Sequence, residues 1–250
     1  MAPRILLTRP EGENEALADA LRAAGLDVRC LPLLAIKILP EDARQRHFVT
    51  QLDTFQLVIV VSKPAARALV DLIDRWWPQP PVGLCWFALG QGTASILQSA
   101  GLTVLTPLAG HTSEALLDDA RLPADLRRVL IARGTESRDV FDQTFTQRGI
   151  QVERLPLYMR SPIAYAEDDL RKILNDWQPN IILTLSAETL RQLVTLGDNS
   201  GYSLRKTGLV VPSERVAALA REISDHVSLL PDMTLASQVQ TLCGAIKGST

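Results

Sequence analysis

The sequence is poor in the residues that build disulfide frameworks and metal sites. Its 250 residues include only three cysteines, Cys30, Cys85 and Cys243, and three scattered histidines. The cysteine count is odd and no CxxC pair occurs, which argues against a disulfide scaffold or a zinc knuckle. No HExxH or similar spacing supplies a metal site. We therefore expect a protein without a disulfide scaffold or a metal site.

Positive charge and long apolar runs are also lacking. The net charge is −2, so no global basic field recruits nucleic acid. Every apolar run is far shorter than the roughly 20 residues that span a bilayer, and the N-terminus has no apolar signal region. Full GxGxxG, GxxxxGK[ST] and GxSxG patterns are missing, which argues against nucleotide binding and against a hydrolase elbow. We expect a cytoplasmic protein that binds neither nucleic acid nor membrane.

Short apolar runs alternate with amphipathic stretches along the whole chain. This alternation predicts an α/β fold in which helices cover parallel sheets. The predicted strands are Arg4–Thr8, Asp27–Leu31, Leu57–Val61, Leu84–Leu89, Thr103–Leu105, Val129–Ala132, Gln151–Leu155, Ile181–Leu185, Gly208–Val211 and Val227–Leu230.

The chain contains an internal repeat. GLDVRCLPLL begins at Gly25 and GIQVERLPLY at Gly149, and the same offset of 124 residues relates Ser62 to Ser186. An offset that holds over almost the whole chain predicts two homologous halves with five strands each. Each half carries an extended LPL segment, and proline suits edges and connections. A chain that crosses between two lobes at both segments is permitted by the sequence and not required by it.

Ligands of open parallel sheets bind where strands end and helices begin. The loops at those places offer backbone amides, hydroxyl groups and cations, which suit a ligand with several negative charges. The candidate binding residues are Arg9, Ser62, Lys63, Gly92, Thr93, Thr112, Ser113, Arg133, Gly134, Arg138 and Ser186.

Structural roles are open for many of these residues. Ser62, Ser113 and Ser186 also fit as helix N-caps. Arg9 and Arg133 occupy matching repeat positions and could each form a structural salt bridge, and Lys63 could simply be solvated. Tyr158, in the second LPL segment, is a candidate functional side chain or an ordinary half-buried connector.

Six motifs in order resemble the uroporphyrinogen-III synthases: ILLTRPEG, VSKPAARAL, ALGQGTA, TSEALL, IARGTESRD and LPLYMR. The resemblance covers nearly the whole chain. It implies two flavodoxin-like lobes with parallel five-stranded sheets, joined by two extended connections. We expect one lobe to contain residues 1–35 and 161–250, the other residues 38–154, and the connections residues 31–37 and 155–160.

The resemblance also implies a reaction. The enzymes of the family dehydrate hydroxymethylbilane, a polyanionic linear tetrapyrrole, and close it with inversion of ring D to give uroporphyrinogen III, without a cofactor. The family's tyrosine corresponds to Tyr158, which would hold or protonate the departing hydroxyl, and its threonine after a glycine turn corresponds to Thr93. Pro64 replaces an arginine of some members, Ser137 replaces a glycine, and Val216 stands where threonine is common.

Two further expectations concern partners. We expect a monomer, because no long heptad or continuous apolar helix face is present, with at most transient contact with the preceding pathway enzyme. The alternative to an enzyme is a non-catalytic, two-lobed anion-binding protein, which would show the same binding features.

Overall fold

The structure, a computed structural model, describes residues 2–110, 112–136 and 140–247. It divides into two compact units. The first unit contains Met1–Ala35 and Ser161–Thr250, and the second unit contains Ile36–Arg160. Helices and strands alternate in both units, so the predicted α/β class is confirmed.

Eleven strands are described in residues 2–110, 112–136 and 140–247. They are β1 (Arg4–Leu7), β2 (Asp27–Cys30), β3 (Leu34–Ile38), β4 (Leu57–Val60), β5 (Cys85–Ala88), β6 (Val104–Leu105), β7 (Arg128–Gly134), β8 (Gln151–Pro162), β9 (Ile181–Leu183), β10 (Gly208–Val211) and β11 (Val227–Leu229). The α-helices are α1 (Glu15–Ala23), α2 (Ala43–Thr50), α3 (Lys63–Trp76), α4 (Gln91–Ser99), α5 (Ser113–Leu117), α6 (Val140–Gln147), α7 (Glu167–Leu170), α8 (Ala187–Ser200), α9 (Glu214–Arg221) and α10 (Leu235–Lys247).

The first unit has a five-stranded sheet in the order β11-β10-β9-β1-β2, and all its pairings are parallel. Apolar side chains alternate between the two faces of its strands. Ile5 and Leu7 of β1 pack into one core cluster, whereas Leu6 packs into another. Both faces are therefore covered, as expected for a parallel sheet.

The second unit has six strands in the order β3-β8-β7-β4-β5-β6, one more than predicted. Its pairings from β8 to β6 are parallel. The extra strand is β3, which lies in a segment expected to be a plain connection. Its sequence, LAIKI, has the alternating apolar pattern of a strand, and Leu39 N donates to Leu157 O at 2.9 Å beside β8.

The duplication is visible in the topology. An offset of 124 residues converts the order β2-β1-β9-β10-β11 into β8-β7-β4-β5-β6. The register follows the same rule. Ile5 pairs with Ile181 as Leu57 pairs with Val129, and only the β9–β10 pairing is shifted by one residue relative to β4–β5. The first unit therefore combines two strands of the first repeat with three of the second, and the second unit, apart from the extra strand β3, combines two strands of the second repeat with three of the first.

Two absences can be stated for residues 2–110, 112–136 and 140–247. No helix there is both long enough and apolar enough to cross a membrane. Within the same ranges, no three His, Cys, Asp or Glu side chains form a cluster that could hold a metal ion.

Candidate active site of the second unit

Helix N-termini follow the carboxyl ends of the strands, as the sequence predicts. Ser62 is the N-cap of α3, and its Oγ accepts a hydrogen bond from Ala65 N at 3.4 Å. The N-cap of α5 is Thr112, whose Oγ1 accepts from Ala115 N at 3.2 Å. The capping alternative for Ser113 is therefore wrong, because this residue is already the first of the helix.

Tyr158 reaches the end of the sheet through a β-bulge. Arg133 pairs with Pro156, but the next pair is Gly134 with Tyr158, so Leu157 is an extra residue in β8. A bulge changes the face to which the following side chain points. Tyr158 consequently shares a core cluster with residues of the α3 side of the sheet and is only 5% exposed.

Gly134 makes room for the tyrosine ring. A Cβ atom at this position would lie 2.8 Å from Tyr158 Cζ and 3.2 Å from its Oη. These distances are too short for any side chain, so only glycine allows the ring to lie against the β7 backbone. At the tip of the ring, Ser62 Oγ donates a hydrogen bond to Tyr158 Oη at 3.1 Å.

A cavity of about 340 Å³ opens beside the tyrosine. Four of the predicted site residues line it, namely Ser62, Ser113, Arg133 and Tyr158. The other lining residues are Val61, Leu89, Ile131, Glu136, Phe141 and Arg160. The cavity thus combines an apolar floor with hydroxyl groups and charged side chains, as a site for an amphipathic anion would.

Lys63 and Gly92 are in close contact next to this region. A Cβ atom on Gly92 would lie 2.5 Å from Lys63 Cε and 3.3 Å from Nζ. The lysine side chain therefore crosses the first turn of α4, where Thr93 is largely buried. A cation beside a helix N-terminus concentrates positive potential at one place, which favours a negatively charged ligand group.

Arg133 lies in a buried ion pair. Its Nη1 is 3.2 Å from Asp142 Oδ2, and both side chains are less than a tenth exposed. Asp142 Oδ1 also accepts from Arg154 Nε at 2.5 Å. The structural alternative for Arg133 is therefore observed, while the residue still lines the cavity.

The two predicted site residues of the first unit, Arg9 and Ser186, each bond to a neighbour on their own helix or loop. Arg9 forms a partly exposed pair with Glu13 at 3.5 Å. Ser186 is the N-cap of α8, with its Oγ accepting from Thr189 N at 3.0 Å and hydrogen-bonded to Thr189 Oγ1 at 2.8 Å. Arg138, the remaining predicted cation, lies outside the described residues, as does Ser137.

Three charged residues of this region were not predicted as site residues. Asp142 is a single buried acid on α6 between two phenylalanines, and no spacing rule points to it. Arg160 could have been found, because it follows Tyr158 by two positions in a strand and side chains two apart share a face. Glu136 follows β7 closely and lines the cavity. Its negative charge gave no reason to predict it in a site for an anion.

Fold and site together define an internally duplicated, doubly wound α/β protein with a polar cavity at the carboxyl end of its second sheet. A family model described as uroporphyrinogen-III synthase HemD matches residues 15–234. The chain is 35% identical to a uroporphyrinogen-III synthase of Salmonella typhimurium, covering 88% of this chain and 91% of the relative. It is 33% identical to that of Escherichia coli over the same shares.

Solved structures resemble the fold. A mutant uroporphyrinogen III synthase from Thermus thermophilus matches with a TM-score of 0.63 at 18% identity, covering 99% of this chain and 100% of the other. A uroporphyrinogen-III synthetase from Helicobacter pylori matches with a TM-score of 0.60 at 15% identity, covering 98% and 100%. The chain belongs to the uroporphyrinogen-III synthase family. The predicted function, a cyclising lyase of tetrapyrrole biosynthesis, is confirmed with the family.

Proposed function

We propose that the cavity of the second unit is where this enzyme dehydrates hydroxymethylbilane on the way to uroporphyrinogen III, with Tyr158 as the catalytic residue. The observation that carries the proposal is a nearly buried phenol at the wall of a polar cavity, fixed on two sides by Gly134 and Ser62. Fixed donors aimed at a reacting group are what an enzyme needs when the substrate supplies its own nucleophile.

In this proposal, Tyr158 donates its proton to the terminal hydroxyl of the substrate. The carbon–oxygen bond then breaks, the hydroxyl leaves as water, and the pyrrole nitrogen lone pair stabilises the resulting azafulvene cation. Attack by a substituted carbon of ring D gives a spiro intermediate, which fragments and closes again. The proton lost from the ring at the end returns to the phenolate, so the tyrosine is regenerated.

The remaining predicted residues bind carboxylates and pyrrole groups. Lys63, Gly92 and Thr93 provide a cation, a backbone amide and a hydroxyl group at the start of α4, which supports a carboxylate subsite there. Thr112 and Ser113 lie at the start of α5 and provide hydroxyl groups there. Arg133 and Gly134 contribute from the end of β7, and Arg138 is a further binding residue. Arg9 and Ser186 are the predicted binding residues of the first unit.

We also propose the organisation in which the enzyme works. The lobes are residues 1–35 with 161–250 and residues 38–154, and residues 31–37 and 155–160 connect them. The division of the chain into compact units supports these boundaries. The enzyme acts as a cytoplasmic monomer that contacts the enzyme supplying its unstable substrate only transiently, and size-exclusion chromatography with light scattering tests the monomer.

The direct test is an assay with freshly prepared hydroxymethylbilane and chromatographic separation of the type I and type III products. Type III should predominate with the wild-type chain. Replacing Tyr158 by Phe should lower kcat about 10²-fold or more, as loss of a general acid does, with little change in the unfolding free energy. Formation of type I alone, at the spontaneous rate, would instead favour an anion-binding protein without catalytic activity.

A further inference from the structure

We propose that Ser62 is a positioning residue that donates its hydroxyl proton to Tyr158 Oη and thereby leaves the phenol's own proton for the substrate. The inference rests on the proposed function, which assigns Tyr158 to the departing hydroxyl. It adds the direction of the hydrogen bond to the phenol and the residue that holds the phenol in position.

Ser62 makes two hydrogen bonds, one as an acceptor and one as a donor. A serine hydroxyl has one proton and two lone pairs. One lone pair accepts from Ala65 N at 3.4 Å, and the proton goes to Tyr158 Oη at 3.1 Å. The phenol accepts at this contact, which leaves its own proton for another acceptor. Because Tyr158 lines the cavity, a ligand bound there is placed to take that proton.

The surroundings keep the phenol in this arrangement. The bulge at Gly134 brings Tyr158 onto the face of Ser62, and the ring edge lies where a Cβ atom of residue 134 would be. A buried ring held in this way cannot swing its oxygen away without losing packing on both sides. When the proton passes to the substrate, the bond from Ser62 becomes charge-assisted and stabilises the phenolate.

The other copy of the repeat provides an internal comparison. Ser186, the equivalent of Ser62, caps α8 in the same way, but its hydroxyl is paired with Thr189 Oγ1 at 2.8 Å. The residue equivalent to Thr189 is Ala65, and the residue equivalent to Tyr158 is Leu34. The unit with the tyrosine thus lacks the competing threonine, and the unit with the threonine lacks the tyrosine.

A double-mutant cycle tests whether Ser62 acts through Tyr158. Ser62→Ala should lower kcat about tenfold with KM nearly unchanged, because the substrate contacts remain while the phenol loses its fixed orientation. Adding Ser62→Ala to Tyr158→Phe should change kcat by less than about twofold, since the residue has lost its target. Losses that multiply, or a loss seen mainly in KM, would overturn the inference and indicate an independent role of Ser62.

Variants that keep the cap separate positioning from helix stability. Ser62→Thr retains a hydroxyl and should restore most of kcat. Ala65→Thr offers Ser62 the partner that Ser186 has, and should lower kcat although the cap remains. Asp42→Ala removes the side-chain cap of α2 in the same unit and should leave kcat unchanged. A drop in kcat with Asp42→Ala equal to that with Ser62→Ala would show that cap loss alone is responsible.

A spectroscopic measurement separates this inference from the proposed function. The chain has three tyrosines, so labelling with ¹³C at Cζ gives three signals, and Tyr158→Phe assigns one of them. This signal should move in Ser62→Ala, which removes the bond to the phenol oxygen, and stay in Asp42→Ala. An unmoved signal in Ser62→Ala overturns the inference alone. Full activity of Tyr158→Phe overturns the proposed function, and the inference with it.

Discussion

The two units share a strand order and most of a register, yet only the second carries the candidate active site. Ser62 and Ser186 cap equivalent helices in the same way. The positions around them differ, because Tyr158 of the second unit corresponds to Leu34 and Lys63 corresponds to Ala187. Caps and strands are needed by the fold in both copies, so they are present twice. The side chains proposed for catalysis and binding, Tyr158 and Lys63, are needed in one copy and occur in the second unit.

Two glycines show the same difference at the level of the backbone. Gly134 and Gly92 each lie where another side chain occupies the space of a Cβ atom. Their counterparts are Pro10 and Val216. Pro10 and Val216 each carry a Cβ atom, so the first unit lacks both close contacts between a glycine and a neighbouring side chain.

The largest effect we expect concerns the two equivalent arginines. Asp142→Asn should lower the free energy of unfolding by about 3–5 kcal/mol, because it removes the carboxylate of a buried ion pair. Glu13→Gln should cost no more than about 1 kcal/mol, because the pair with Arg9 is partly exposed. Urea unfolding of both variants measures the contrast, and equal losses would contradict it.

The second prediction concerns Gly134. Gly134→Ala should lower kcat roughly 10²-fold, about the loss expected of Tyr158→Phe, because the new methyl group displaces the phenol from its place. Gly244→Ala in α10 is the control, since a Cβ atom there meets nothing within 4 Å. The control should retain full activity and gain stability. Wild-type kcat in Gly134→Ala would show that the close contact does not matter.

A smaller effect is expected at Gly92. Gly92→Ala pushes the flexible end of the Lys63 side chain aside, and we expect KM to rise roughly fivefold with kcat little changed, since binding of a carboxylate weakens. In a Lys63→Met background, the same substitution should have much less effect on KM. An undiminished effect in that background would mean that the glycine acts on the substrate directly. Steady-state kinetics of the wild type, the two single variants and the double variant measure the difference.

The finest comparison is between two aspartates in loops, Asp119, whose side chain is buried, and Asp232, which is exposed. Arg121 hydrogen-bonds Asp119 and holds its pKa well below the ordinary value, and hydrogen bonds from Thr234 and Ser237 lower the pKa of Asp232. A lowered pKa contributes stability above about pH 4, and this contribution is lost as the pH falls through the folded-state value.

Replacing either aspartate by Asn should therefore flatten the acid side of the stability curve, and Asp119→Asn should do so more than Asp232→Asn. Thermal unfolding between neutral and acidic pH measures the slopes. A steeper acid slope in Asp119→Asn would contradict the assignment.

Much of the fold could be predicted from the sequence because its signals are local and repeated. Apolar runs gave the strands, and a constant offset gave the duplication. Ser62 and Ser186 were recognisable as caps, because a serine before a helical pattern has few other roles. In TSEALL the sequence offered two hydroxyls, and only the geometry showed that Thr112 is the cap.

The rest depends on contacts that are distant in sequence. The bulge before Tyr158 arises from how β7 and β8 pair, and LPLY alone does not indicate where a residue is skipped. The strand β3 forms because β8 offers it an edge. Asp142 becomes important only because Arg133 and Arg154 lie against α6. These features follow from packing, which no window of sequence contains.

The exchange of strands between the repeats affects the order in which the two units can fold during synthesis. The second unit is one continuous stretch, Ile36–Arg160, so all its strands have been synthesised before the last third of the chain leaves the ribosome. The first unit must wait, because β1 pairs with β9, about 176 residues later. Domains generally fold as units during synthesis, and distant pairings form slowly. The tyrosine site can therefore be assembled early, while β1 and β2, which pair with each other, must wait for β9 before the rest of their sheet can form.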